Sequence, residues 1–450
     1  MKAAEAEILL LKRAVWAYFL LLIFEGALRK WFLPGLATPL LIIRDPIALW
    51  VVYKVWNMGE LPKSFYLTGM VMIGLLGIVT AILFGHGSFP VAIYGARILM
   101  IHFPFMFAMG KIMDHDDVLK MGKALLLISI PMAVLIAAQF YSPQNAWVNR
   151  GVGGDLDGAG FSGAMGYFRP PGTFSFTNGN SYFFNVVALF VVYFWLNPKH
   201  VNKIILTGAS VAVLMSIPLS ISRSLLFSII ITVFFAAIGA AHNKKYASKM
   251  ISTGIIVFIG LILLSQMEFF KTATAAFTDR FETANTNEGG LESVLADRYL
   301  GGLIGALKSA SEQAFFGFGI GMGTNVGSKL LTGGTTFLIS EGEWGRVIGE
   351  QGAIMGIGII LLRLGLCFKF LTHAYKRMLR SDLLPWILLS FALLIIPQGQ
   401  WAQPTSLGFS TIIGGLLFAS LRGQEPAVAK LPILIKEVEV NTGYIMEGAR

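Results

Sequence analysis

The sequence predicts an all-α integral membrane protein of about twelve transmembrane helices, with one long external loop that contains an amphipathic helix. Three observations predict it. Of the 450 residues, 55% are hydrophobic and only 13% charged, with a mean hydropathy of +0.69. That is more apolar surface than one water-soluble core can hide, which excludes a soluble enzyme. Apolar stretches near the ~20 residues needed to cross a bilayer recur from one end of the chain to the other. Lysine and arginine collect in alternate connections between them, as short cytoplasmic loops require.

The expected spans, in order, are 14–33, 36–56, 64–84, 89–110, 120–141, 174–196, 203–220, 223–241, 250–267, 343–366, 384–398 and 404–421. The last two are weak, split by Pro397, Gln398, Gly399, Gln400 and Pro404. Interior prolines such as Pro104 and Pro131 do not veto helix, because neighbouring helices can satisfy the freed backbone groups. Lys12, Arg13, Lys120, Lys123, Lys244, Lys245, Lys249, Lys376, Arg377 and Arg380 all fall on one side if the N-terminus is cytoplasmic, so both termini are expected inside. The first span reads as a signal anchor that is not cleaved. We therefore expect a single polytopic domain over 1–450, an external loop over 268–342 within it, and a cytoplasmic tail over 422–450.

The formal charge of +10 reflects this partition and calls for no nucleic-acid partner. The single cysteine, Cys367, excludes an intramolecular disulfide and a cysteine-rich metal site. The loop over 142–173, rich in glycine from Gly151 to Gly160, reads as flexible and polar. In the loop over 268–342, Leu291, Val294 and Leu295 with Tyr299, Leu303 and Leu307 have the spacing of an amphipathic helix lying on the membrane.

Ionisable residues inside spans cost several kcal/mol, roughly 2.5–3.5 each at the centre, and are functional candidates by default. Glu25, Arg29, Lys30, Arg44, Asp45, Arg97, Arg223, Arg346 and Glu350 all fall in the outer half of their spans; Arg363 alone lies near an inner end. Glu25 with Arg29, and Arg346 with Glu350, are four apart and can pair on their own helices. Arg97 and Arg223 have no such partner. An excess of cations at the outer headgroup level suits a lipid-borne phosphate or pyrophosphate, which guanidinium binds bidentately. A proton-coupled transporter instead concentrates acids and broken helices at the midplane.

Several motifs fail on inspection. The run Gly317-Phe-Gly319-Ile-Gly321-Met-Gly323-Thr324 lacks the spacing of a dinucleotide loop and the lysine of a P-loop, which leaves a tight turn beside a sugar or phosphate, or a plain loop. Asp155-Leu-Asp157 has the form of a metal-binding DxD but sits in a glycine-rich loop. None of the six histidines lies between Asn243 and Thr372, so acid–base work in the long loop falls to a carboxylate. His102 reads as a satisfied buried histidine.

From Ser222-Arg223-Ser224 through Asp297-Arg298-Tyr299 and the 317–324 glycine turn to Glu341-Gly-Glu343-Trp344-Gly-Arg346 and Glu350-Gln-Gly352, the order of features resembles the O-antigen ligase and Wzy-type O-antigen polymerase superfamily. The resemblance covers roughly 200–365. It implies a GT-C-like glycosyltransferase of the bacterial inner membrane that takes an oligosaccharide from undecaprenyl pyrophosphate on the periplasmic side, without metal or other cofactor. Membrane lipid and other polysaccharide-assembly proteins are the partners it implies, and no nucleic acid. Family ligases carry a histidine in an HNxY-like segment nine residues before the glutamate of an ExG. Here that register falls on Glu341, with Gly342 and Trp344 following, so the expectation is a polymerase of O-antigen or exopolysaccharide repeats. A ligase is the first alternative and a flippase or transporter the second. The expected catalytic groups are Glu341 as base, with Arg223 and Arg298 on the pyrophosphate. Arg97, Arg346, Glu343 and Arg280 are the expected substrate-binding groups, Glu343 being the alternative base.

Overall fold

The computed structural model describes residues 2–198, 201–287, 301–309, 314–334 and 336–422. Its helices, in chain order, are α1 Lys2–Ala27, α2 Pro34–Asn57, α3 Phe65–Leu83, α4 Phe89–Ile112, α5 His115–Tyr141, α6 Thr177–Leu196, α7 Lys203–Leu219, α8 Arg223–Ala241, α9 Lys244–Ser265, α10 Glu268–Asn287, α11 Gly302–Ser309, α12 Asn325–Thr332, α13 Glu343–Leu379, α14 Leu384–Ile395 and α15 Pro404–Leu421. Eight of them, α2 to α6, α8, α13 and α15, are long and apolar enough to cross a membrane. The helices α7 and α14 are apolar but shorter. The chain is thus a mostly helical protein with the helices of a multi-pass membrane protein.

Helix starts carry recognisable chemistry. Asp114 accepts the Asp117 N–H while Asp117 returns the bond to the Asp114 N–H, a reciprocal cap on α5. Ser222 caps α8 through the Leu225 N–H, and α14 and α15 begin with proline in their first turn. The α4 helix loosens to a π turn at Ile98–His102, directly after Arg97, a local widening often found at functional or strained positions.

Contacts between helix ends sort into two faces. At one end Lys12 reaches Asp114 at 2.6 Å and Asp117 at 2.5 Å, Lys54 reaches Glu7, Lys111 reaches Glu60, and Asn243 bonds Ser381. At the other, Arg44 bonds the Pro404 carbonyl, the Gly153 N–H bonds the Arg29 carbonyl, and Gln400 bonds the Glu341 carbonyl. These are called the Asp114 end and the Glu343 end below.

Two expectations are corrected at the Glu343 end. The 142–173 loop, read as flexible, is tied down: Asn149 Nδ2 donates to the carbonyls of Gln139, Ser142 and Pro143, and Gln139 both donates to the Gly172 carbonyl and accepts its N–H. Buried Lys30 donates to the same carbonyl at 2.6 Å. Within the loop, β1 Phe161–Ala164 and β2 Tyr167–Arg169 form an antiparallel hairpin, turned at Met165 and Gly166, both at positive φ. The 268–342 segment, expected as a loop with one amphipathic helix, carries three helices among the described residues, and α10 packs against α7 and β1. The part of the expected amphipathic helix from Leu291 to Tyr299 lies outside the described residues; Leu303 and Leu307 lie on α11.

Candidate functional site

The longest helix, α13, enters at the Glu343 end and is broken ten residues in. Gly352 takes φ 74° and ψ 175° inside it, a conformation that side chains other than glycine's scarcely tolerate. The break frees the carbonyls of Gly349 and Glu350, which accept the N–H groups of Phe318 and Gly319 at 2.8 and 3.0 Å. The carboxylate of Glu350 accepts the Gly323 N–H at 2.8 Å. The glycine turn is therefore a plug for the broken helix, pressed against Gly95 of α4, and neither a phosphate cradle nor a loose connector.

The first half of α13 carries a buried charge network. Arg346 meets Glu343 through two nitrogens at 3.0 and 2.8 Å and Glu350 at 2.5 Å. From the far side of the break Arg363 reaches Glu343 at 2.7 Å, with its guanidinium 3.8 Å above the Trp401 ring. The Trp401 N–H completes the Glu343 carboxylate at 3.1 Å. Two acids and two bases, each at most 5% exposed, form a formally neutral set that braces the kink by charge, in addition to the backbone bonds of the glycine turn.

Beside this network lies a cavity of about 630 Å³ whose walls come from distant parts of the chain: Ser224 and Ser228 of α8, Gly302 and Gly305 of α11, Ser340, Gly342, Glu343, Trp344 and Gly345 at the entry to α13, Tyr182 of α6, Phe391 and Ile395 of α14, and Gln398 and Gln400 beyond it. Polar groups such as Ser224, Ser228, Gln398 and Gln400 and apolar ones such as Phe391 and Ile395 both line it, as suits an amphiphilic ligand. The indole N–H of Trp344 is buried without a partner there.

The expected site residues fall into three groups. Glu341 is exposed and precedes the helix, and Gly342, not Glu341, occupies the N-cap position. Gln400 donates to its carbonyl, which fixes the backbone at the cavity rim and leaves the carboxylate to solvent. Arg223 is half-buried at the start of α8, next to Ser224 in the cavity wall, and Arg280 is half-buried on α10. Arg298 lies outside the described residues. A third group is held by ion pairs or hydrogen bonds. Glu343, which also lines the cavity, and Arg346 belong to the network described above. Arg97, which has no acidic partner on its own helix, finds one on α2: it donates to both oxygens of Asp45 at 2.8 and 2.7 Å, with Tyr94 on its other nitrogen. His102 is satisfied on both ring nitrogens, by Tyr18 and Asp45 at 2.9 Å each. Asp155 of the DxD accepts the Asp157 N–H, two residues along its own loop.

Sequence reasoning missed Gln398, Gln400, Trp344 and Tyr182 as cavity residues. The one available signal was the polar interruption from Pro397 to Pro404, which weakened two spans and marked irregular backbone tolerated in a membrane where it lines a cavity. No family model matches the chain, and no curated protein matches it.

Proposed function

We propose that the cavity at the Glu343 end is the transfer site of a membrane glycosyltransferase that polymerises undecaprenyl-pyrophosphate-linked oligosaccharide repeats. The single observation that carries this reading is convergence. Segments that resemble the polymerase and ligase superfamily and are more than a hundred residues apart, at Ser224 and at Gly342 to Trp344, share one cavity with α11, which begins four residues downstream of Arg298.

In this reaction the bond from the anomeric carbon to the pyrophosphate oxygen breaks, and an acceptor hydroxyl oxygen takes its place on carbon. The leaving pyrophosphate gathers negative charge, which Arg223 and Arg298 stabilise. The hydroxyl proton passes to Glu341, whose solvent-facing carboxylate is free to accept it, whereas Glu343 is spent on two arginines. Arg346 and Arg97, each paired with carboxylates, hold helices rather than substrate. The full topology belongs to the same reading: α1, α7, α9 and α14 join the eight long helices to make twelve crossings. The Asp114 end is then cytoplasmic and 268–342 periplasmic, in a bacterial inner membrane.

The test is to incubate purified protein with lipid-linked repeat units and separate the products. A ladder supports polymerase chemistry and a single addition a ligase-like transfer. Unchanged donor, with protein that remains folded, removes the enzyme reading.

A further inference from the structure

A second cavity, of about 470 Å³, opens at the Asp114 end of the bundle, at the opposite end of the 37-residue α13 from Glu343. Its walls are polar almost throughout: His115 at the first position of α5, Tyr193 and Asn197 at the end of α6, Tyr246 of α9, and Arg377 with Asp382 where α13 turns into α14. A polar group that is buried here is costly unless something answers it.

Most of the polar groups here are answered by protein, and the exceptions are informative. Tyr246 spends its hydroxyl on Asn197 and on the Ser381 carbonyl. Asp382 takes the Leu384 N–H at 3.4 Å and pairs with Arg377 Nε at 3.3 Å. That contact is one of charge without hydrogen-bond geometry, for the buried Nε has no hydrogen-bond partner, and no described residue accepts from the two terminal nitrogens. His115 is only 8% exposed, yet its buried Nδ1 has no hydrogen-bond partner. A buried imidazole nitrogen and a buried guanidinium nitrogen, both without a hydrogen-bond partner on one cavity wall, call for an acceptor.

We propose that this cavity binds a phosphate group, with the terminal nitrogens of Arg377 and the imidazole of His115 as its donors. Guanidinium presents parallel donors matched to two phosphate oxygens, and basic pockets between helices near a membrane surface are suited to lipid headgroups. The phosphate can arrive as the headgroup of a phospholipid or as a free anion; the donors are the same. This inference does not rest on the glycosyltransferase reading, because the two cavities share no residue.

The experiment uses the full chain, stripped of lipid in detergent. One arm measures retention of phosphatidylglycerol against diacylglycerol, which lacks the phosphate, by native mass spectrometry; the other measures the rise in unfolding temperature as inorganic phosphate is added. The wild type is expected to respond in at least one arm. A response to phosphatidylglycerol alone identifies a headgroup, and a response to inorganic phosphate identifies the free anion. His115→Ala and Arg377→Gln should each weaken that response about tenfold. Arg377→Lys keeps the charge beside Asp382 and thus the fold, and should still bind severalfold more weakly because bidentate geometry is lost. Flat responses in both arms, or undiminished binding by folded His115→Ala and Arg377→Lys proteins, overturn the proposal.

Discussion

Replacing Glu343 by glutamine tests whether the charge network is what holds the broken helix together. Wild-type Glu343, Glu350, Arg346 and Arg363 sum to zero formal charge, and each is at most 5% exposed. Glutamine keeps the size of the side chain but leaves one positive charge uncompensated between Arg346 and Arg363, both within 3.0 Å of the altered group. Removing one partner of a buried ion pair costs about 3–5 kcal/mol, chiefly the penalty for the stranded charge. The double change Glu343→Gln with Arg363→Met restores neutrality and replaces the guanidinium on Trp401 by an apolar side chain, so it should recover at least half of that loss. The assay is the unfolding temperature of the purified protein in detergent, read by intrinsic tryptophan fluorescence for the wild type, the single variants and the double variant as a cycle. Glu341→Gln, two residues away and exposed, is the control and should unfold like the wild type. A Glu343→Gln protein as stable as the control, but inactive in transfer, would refute the argument: the carboxylate would then be available for chemistry and the network would not be structural.

Other outcomes follow from the same geometry. Glu341→Gln should slow transfer by ~10²–10⁴-fold, the usual range for loss of a general base, with donor binding unchanged; wild-type turnover would remove this base from the mechanism. Arg97→Met strands Asp45 against His102 and should cost about 2–4 kcal/mol in the same unfolding assay, with Arg97→Lys intermediate; an unaffected Arg97→Met protein would mean the pair contributes no net stability. Gly352→Ala should fail to yield a monodisperse protein, since its Cβ would lie 2.0 Å from the Phe315 carbonyl oxygen at a φ of +74°, whereas Gly254→Ala, with nothing within 4 Å, should behave normally. At the Asp114 end, burial pushes the Asp114 carboxyl up, but Lys12 and the Asp117 N–H outweigh it and hold the group below its ordinary value. A depressed carboxylate contributes stability above its unfolded pKa of about 3.9 and loses it as pH falls through the folded value. Lys12→Met should therefore destabilise by about 1–3 kcal/mol at pH 7, and the gap to wild type should close below about pH 4.

The membrane class was legible because it depends on composition, which no tertiary contact alters. Helices long and apolar enough to cross a membrane were legible where apolar runs were long, as at Phe65–Leu83 or Arg223–Ala241. Legibility failed where backbone is held by side chains from elsewhere. A glycine-rich run such as Gly151 to Gly160 looks loose, because its composition says nothing of Asn149 and Gln139, whose amides bind the ends of that loop. Likewise the four glycines from Gly317 to Gly323 offer a nucleotide-like pattern, whereas the reason for them is a helix break at Gly352 that local periodicity does not reveal, since α13 stays apolar on both sides of it.

The site shows the same limit more sharply. Position along a helix identifies pairs such as Arg346 and Glu350, and the structure has them at 2.5 Å. It gives no access to partners on other helices: Arg97 appeared to be a spare cation only because Asp45 is fifty-two residues away. The choice between Glu341 and Glu343 is a case of this kind. Both flank one N-cap glycine, both are carboxylates, and nothing local distinguishes an exposed acid from a buried one. The distinction is made by Arg363, which lies twenty residues further on and is brought back to Glu343 because the break at Gly352 redirects the helix. One acid is thereby neutralised to hold the fold, and the other is left at the rim of the cavity with its carboxylate free. A base must be able to take up a proton without dismantling its surroundings, which is why the proposed mechanism gives that role to Glu341 rather than to Glu343.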